Sequence, residues 1–117
     1  MHEFSICESI FSALEKEYNT LHPRPKVNTV QLVIGEMHQV IEENLRAAWE
    51  VVTMDTPFQK SILTITWKPV ILFCNDCKKE MPKRGLMFVC AHCSSRNIEI
   101  KEGRELYIEN MGVDKDE

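Results

Sequence analysis

The chain predicts a small α+β fold in which a metal-binding module interrupts a two-layer domain. Three observations predict it. Two stretches carry apolar residues at helical spacing, several short β-type runs lie between and after them, and two Cys-x-x-Cys pairs fall before the last run. Residues 4–21 set Phe4, Cys7, Phe11, Leu14, Tyr18 and Leu21 at alternating three- and four-residue steps, with Ile10 widening the stripe. This predicts an amphipathic helix, ended by His22-Pro23-Arg24-Pro25, because proline lacks an amide donor and restricts its predecessor. Val27 to Ile34 predicts a strand broken by Gly35. Residues 41–53 predict a second helix, with Ile41, Leu45, Ala48, Trp49 and Val52 on its apolar face and no evident N-cap residue. Leu63, Ile65 and Trp67 alternate with polar residues as a strand does, and Val70 to Phe73 leads into the first cysteine pair. After the second pair, Ile98 and Ile100, a turn at Glu102-Gly103, and Leu106 and Ile108 complete the β content, and the tail from Asp114 is expected to fray.

Length and composition restrict the rest. The chain has 117 residues, 44% hydrophobic and 27% charged, a balance typical of a globular domain. No apolar run approaches the ~20 residues of a membrane helix, and the opening residues lack the basic head and apolar core of a secretory signal. A cytoplasmic protein with reduced cysteines is the resulting expectation. The formal net charge is −4, but residues 74–104 carry 7 Lys and Arg against 4 Asp and Glu. A mildly basic middle in an acidic whole argues against a dedicated nucleic-acid binder.

Cys74-Asn-Asp-Cys77 and Cys90-Ala-His-Cys93 are separated by 12 residues. Two such knuckles can aim four thiolates at one tetrahedral ion, and sulfur donors select Zn(II) over hard cations. A disulfide framework is disfavoured in a reducing compartment, a redox Cys-x-x-Cys centre would need one pair beside a βαβ unit, and iron–sulfur ligands are usually spaced differently. With all four positions taken by protein, the site should be structural and closed. His92 reads as a solvent-facing residue of the second knuckle. Lys78, Lys79, Lys83 and Arg84 read as a solvated surface that could also meet an acidic partner. Cys7 lies on the apolar stripe of the first helix and reads as a buried small hydrophobe.

The opening Met1-His2-Glu3 supplies a different donor set. Methionine aminopeptidase trims Met before small residues, and histidine is not small. A free Met1 amine, the His2 amide and the His2 imidazole could close adjacent chelate rings, with Glu3 adding an amide or carboxylate donor. Planar nitrogen donors favour Ni(II) or Cu(II). A solvated terminus, with Glu3 merely favouring the helix dipole, is the competing reading. His38 follows a strand-ending glycine and could approach a partner or metal, whereas His22 reads as closing the first helix.

Met1-His2-Glu3 before a helix, Val33-Ile34-Gly35-Glu36 at a strand end, the two cysteine pairs, and Gly103-Arg-Glu-Leu-Tyr-Ile108 occur here in an order and length that resemble the HypA family. The resemblance spans essentially the whole chain. It implies a nickel metallochaperone for nickel–iron hydrogenase maturation, non-catalytic and serving urease in some members. It implies Ni(II) at Met1, His2 and Glu3 and structural Zn(II) at Cys74, Cys77, Cys90 and Cys93. The implied partners are the GTPase HypB and the hydrogenase large subunit, with the chain monomeric or homodimeric. The implied fold is a two-helix, three-stranded nickel domain, residues 1–69 and 104–117, with an inserted zinc-ribbon-like domain, residues 70–103. The sequence departs from relatives that carry histidine just after each cysteine pair, since Lys78 and Ser94 stand there, and Glu36-Met37-His38-Gln39 replaces a small-residue pattern. A zinc-ribbon adapter binding protein or nucleic acid is the alternative. No Ser/His/Asp, Cys/His or phosphate-binding glycine pattern suggests an enzyme.

Overall fold

The computed structural model describes residues 2–83, 85 and 87–113. Met1, Arg84, Leu86 and the tail from Asp114, on which expectations above partly rest, lie outside the described residues. The chain is α+β, with two α-helices, a single 3-10 turn at Glu36–His38 and two three-stranded sheets among the described residues. Helix α1 spans Glu3–Tyr18 and α2 spans Glu42–Val52; the strands are β1 (Val27–Gly35), β2 (Ile62–Lys68), β3 (Ile71–Cys74), β4 (Glu80–Pro82), β5 (Ile98–Glu102) and β6 (Leu106–Val113). One sheet has the order β2-β1-β6 and the other β4-β3-β5. The last strand therefore returns to the sheet begun by β1, after the cysteine-bearing excursion. The chain divides into two compact units. One comprises the described residues up to Leu32, Val40–Thr66 and those from Tyr107, and the other comprises Val33–Gln39 and Trp67–Leu106.

In the first unit α1 packs on α2. Helix α1 buries Glu3, Ile6, Cys7, Ile10, Leu14 and Tyr18, a stripe at three- and four-residue steps. Two expected core residues lie elsewhere: Phe4 is 48% exposed and Ile41 50% exposed. A seven-residue repeat drifts around a 3.6-residue helix, so the Phe4–Phe11–Tyr18 series leaves the buried face at its N-terminal end. Ile41 precedes α2 in extended backbone, so helical periodicity does not govern it. The centre of the core is aromatic. Phe11 meets Phe58 edge-on at 5.3 Å between centroids and Trp49 at 6.5 Å, and Tyr18 meets Phe58 at 5.3 Å. Such pairs add to the stabilisation from burial alone. Phe58→Ala should remove about 3–5 kcal/mol and lower Tm by roughly 10–20 °C in a thermal melt.

In the second unit β3 is the central strand, antiparallel to both neighbours, with Leu72 opposite Met81 and Ile100. Strand β4 was not foreseen. It has three residues and ends in Pro82, which an outer strand tolerates because one side of its backbone needs no ladder bond. Val70, Leu72, Cys74, Met81 and Cys90 form a small core, with Met37, Cys77, Ile98 and Ile100 packed against it. The segment after β1 is clasped to residues 103–105. Gly35 N–H donates to the Glu105 carbonyl at 2.7 Å and Met37 N–H to the Gly103 carbonyl at 2.9 Å. This approach needs a glycine, because a Cβ on Gly35 would stand 2.0 Å from the Gly103 carbonyl oxygen.

Candidate metal centres

Each cysteine pair folds into the same turn. Cys74 N–H donates to the Lys79 carbonyl and Lys78 N–H to the Cys74 carbonyl, both at 2.9 Å; Cys90 N–H donates to Ser95 at 2.9 Å and Ser94 N–H to Cys90 at 3.0 Å. Lys78 and Ser94, the residues following each pair, both adopt φ of 62°. The two turns are thus superposable in bonding pattern, and each aims two sulfurs inward. All four ligand atoms lie within 4.8 Å of one another. Cys74 Sγ is 3.6 Å from Cys93 Sγ, and Cys77 Sγ is 3.6 Å from Cys90 Sγ. A disulfide needs about 2.05 Å. Tetrahedral zinc with bonds near 2.3 Å sets its sulfurs about 3.8 Å apart, so the residues present fit that ion.

The electrostatics point the same way. Cys77 N–H reaches Cys74 Sγ at 3.5 Å, and the N–H groups of His92 and Cys93 each reach Cys90 Sγ at 3.3 Å. The Cys77 amide holds the Cys74 thiol below its ordinary pKa against the cost of desolvation. Desolvation opposes ionisation of Cys90 as well, yet the Cys93 and His92 amides hold it at about 6. Desolvation and neighbouring sulfurs raise Cys77. Cys93 has the Ser95 amide in its favour, but desolvation and its three sulfur neighbours push it up to about 12. Four thiolates so close cannot all carry charge without a cation between them.

Sequence reasoning missed a polar strap joining the knuckles. Asp76 accepts from Ser95 Oγ and, at 3.3 Å, from Asn97 Nδ2. Asn97 N–H donates to Ser95 Oγ at 3.0 Å, and Asn75 N–H donates to the Asn97 carbonyl at 2.9 Å. The signal available in the sequence was weak: short polar residues inside and just after the pairs, which also mark ordinary turns.

His2 is the exposed N-cap of α1, and its carbonyl accepts the Ile6 N–H at 2.9 Å. Glu3 is only 4% exposed, and its Oε2 accepts the Ile41 N–H at 3.0 Å. That bond explains the missing local cap of α2. The N–H of its cap residue is satisfied by a carboxylate 38 residues away, as a capping-box glutamate would satisfy it locally. The Ile41 amide lowers the Glu3 pKa, aided by the residue's own N–H. The contact therefore stabilises the fold fully above the unfolded glutamate pKa and is lost as pH falls through the lower folded value. Glu3→Ala should lower Tm by several degrees at neutral pH. Glu3→Gln, whose amide oxygen can still accept, should retain most of the neutral-pH Tm and lose part of the acid sensitivity in melts across an acid series.

The structure thus gathers the four cysteines into one cluster and sets His2 and Glu3 in the first turn of α1; Met1 lies outside the described residues. His38 Nε2 is 2.9 Å from the Arg104 carbonyl, within the clasp around Gly35. His92 is exposed. Cys7 is fully buried, its thiol directed at the Leu45 carbonyl at 3.4 Å, and burial pushes its pKa up to about 11, so it is an inert core residue. Among the described residues no helix is long and apolar enough to cross a membrane.

Residues 1–113 match the family described as "Hydrogenase/urease nickel incorporation, metallochaperone, hypA". The chain is 33% identical over 118 residues to the hydrogenase maturation factor HypA of Solidesulfovibrio magneticus, covering 97% of this chain and 100% of that one. It is 33% identical over 124 residues to that of Methanococcus maripaludis, covering 100% of this chain and 98% of the relative. Among solved structures it is similar to the solution structure of the nickel metallochaperone HypA from Helicobacter pylori, with TM-score 0.64, 26% identity and 97% of each chain covered. The matches in sequence and in fold run over nearly the same span as the helices, the two sheets and the cysteine cluster, and the chain belongs to the HypA family of nickel-incorporation metallochaperones for hydrogenase maturation.

Proposed function

We propose that the chain carries Ni(II) as cargo at its N-terminus and delivers it to the large subunit of a nickel–iron hydrogenase, while Zn(II) at Cys74, Cys77, Cys90 and Cys93 holds the second unit together. The observation that carries the nickel reading is the position of His2 and Glu3 at the start of α1. The first N–H groups of a helix have no intrahelical acceptor. Nitrogen donors taken from Met1 and His2 therefore cost α1 no intrahelical backbone bond, whereas the Glu3 amide would give up its contact with the Glu3 carboxylate. A cation at a helix N-terminus meets the positive end of the dipole, and the ionised Glu3 carboxylate offsets this. With one Glu3 oxygen engaged by Ile41, the residue contributes through its backbone and its charge and fixes the turn that presents His2.

Release follows from the same arrangement. A donor at the tip of a helix can be displaced by an incoming ligand without unfolding what lies behind it. On this reading the helical unit carries the nickel and the cysteine-bearing unit, which also includes Val33–Gln39, carries the zinc. The protein acts without catalysis, in the cytoplasm, with HypB as the GTPase partner. Service to urease maturation is a further extension of the same cargo role, supported by the family's description. The test is transfer. A chain loaded with radioactive nickel should pass the label to an apo hydrogenase large subunit in the presence of HypB, and label that stays with the chain would contradict delivery.

A further inference from the structure

The cysteine-bearing unit has a feature that neither metal uses. Strand β5 is an outer strand in the order β4-β3-β5, and no other strand pairs with its far side among the described residues. An outer strand presents unpaired N–H and C=O groups that can template another chain. The opposite outer strand, β4, is blunted by its three-residue length and Pro82, whereas β5 has five residues and no proline. A groove of about 560 Å³ lies along β5, lined by Phe88, Arg96, Ile98, Glu99, Ile100 and Arg104.

The lining has a definite chemistry. Ile98 and Ile100 are half-buried, so they present apolar surface backed by the unit's core. Phe88 is 40% exposed, with Lys83 Nζ at 5.1 Å from its ring centroid. Arg96 precedes the strand by two residues and Arg104 follows it by two; both are exposed, and neither is ion-paired with a carboxylate among the described residues. Guanidinium groups engage carboxylates with two parallel hydrogen bonds. Glu99 adds a negative charge to the middle of the groove.

We propose that the β5 edge is a docking site for an extended acidic segment of a partner protein, which adds to the sheet as a further strand. Its apolar centre would lie against Ile98, Ile100 and Phe88, and its carboxylates at either end would reach Arg96 and Arg104. Five residues of β5 at about 3.3 Å each set the length of the paired stretch. The excess of basic residues over 74–104 complements such a ligand. A nucleic acid fits less well, since one exposed aromatic is not a stacking series. The inference is independent of nickel binding.

The test uses the zinc-loaded full chain and the synthetic peptide Ac-Asp-Glu-Val-Ile-Val-Glu-Asp-NH2, with amide chemical shifts locating the site. Binding should shift the amides of Ile98–Glu102. It should weaken about tenfold or more for a peptide with lysines at the acidic positions, and likewise for the Arg96→Glu/Arg104→Glu variant at unchanged zinc content. A peptide N-methylated along its backbone should lose binding to a similar degree, because strand addition depends on main-chain hydrogen bonds. Failure of the acidic peptide to bind, equal binding of the lysine peptide, undiminished binding of the N-methylated peptide, or shifts located elsewhere would each overturn the proposal. So would an oligouridine that displaces the acidic peptide from the same amides.

Discussion

Replacing Cys74 with serine is expected to weaken zinc binding by at least about 100-fold and to unfold the second unit while the first retains its structure. Cys74 belongs to both the metal cluster and the core. Its sulfur lies in the four-thiol cluster, and its side chain packs with Val70, Leu72, Met81 and Cys90. That core is small, and without the ion the four sulfurs confront one another at 3.6 Å and within 4.8 Å overall. A serine oxygen is a harder donor and a poor substitute in a thiolate site. The polar strap through Asp76, Ser95 and Asn97 can hold the knuckle loops near one another but adds no apolar burial. Zinc content by elemental analysis and an amide correlation spectrum check the expectation. Collapse should be confined to residues of the second unit, while resonances of α1 and α2 persist. A zinc-free variant with a native spectrum would show that the knuckles do not need the metal.

His2→Ala should lower Ni(II) affinity by about 100-fold or more, with zinc content and thermal stability unchanged. The exposed N-cap position makes the substitution structurally mild, because the His2 carbonyl that accepts from Ile6 is retained. The loss therefore reports on the donor. In the unsubstituted chain, affinity should also fall on acidification, since protons compete with a metal ion for its donors. Nickel titrations at several pH values would show both effects. Equal uptake by the alanine variant would remove His2 from the site.

The sequence made some elements far more legible than others, for physical reasons. Helix α1 could be read because Cys7, Ile10, Leu14 and Tyr18 repeat at helical spacing, yet the same pattern admitted Phe4, which the drift of a seven-residue repeat carries toward solvent. The cysteine cluster was legible because its geometry is local. Two identical four-residue turns predetermine where four sulfurs point, and only the distance between the turns is tertiary. The cap of α2 was illegible because its acceptor, Glu3, lies 38 residues away. Strand β4 escaped because three residues ending in proline carry no period, and the apolar Met81 acquires meaning only opposite Leu72. The clasp of Gly35 and Met37 onto residues 103–105 likewise depends on a long-range approach that a glycine permits but does not announce.

The nickel reading places the cargo on a free terminal amine beside His2, and the most direct measurement compares metal content in two forms of the chain. One begins at Met1 and the other carries a short extension before it. Both are saturated with zinc, exposed to Ni(II), freed of excess and analysed for both elements. The account predicts one zinc in each form and nickel retained only where the amine of Met1 is free. Nickel held equally by both forms would contradict it.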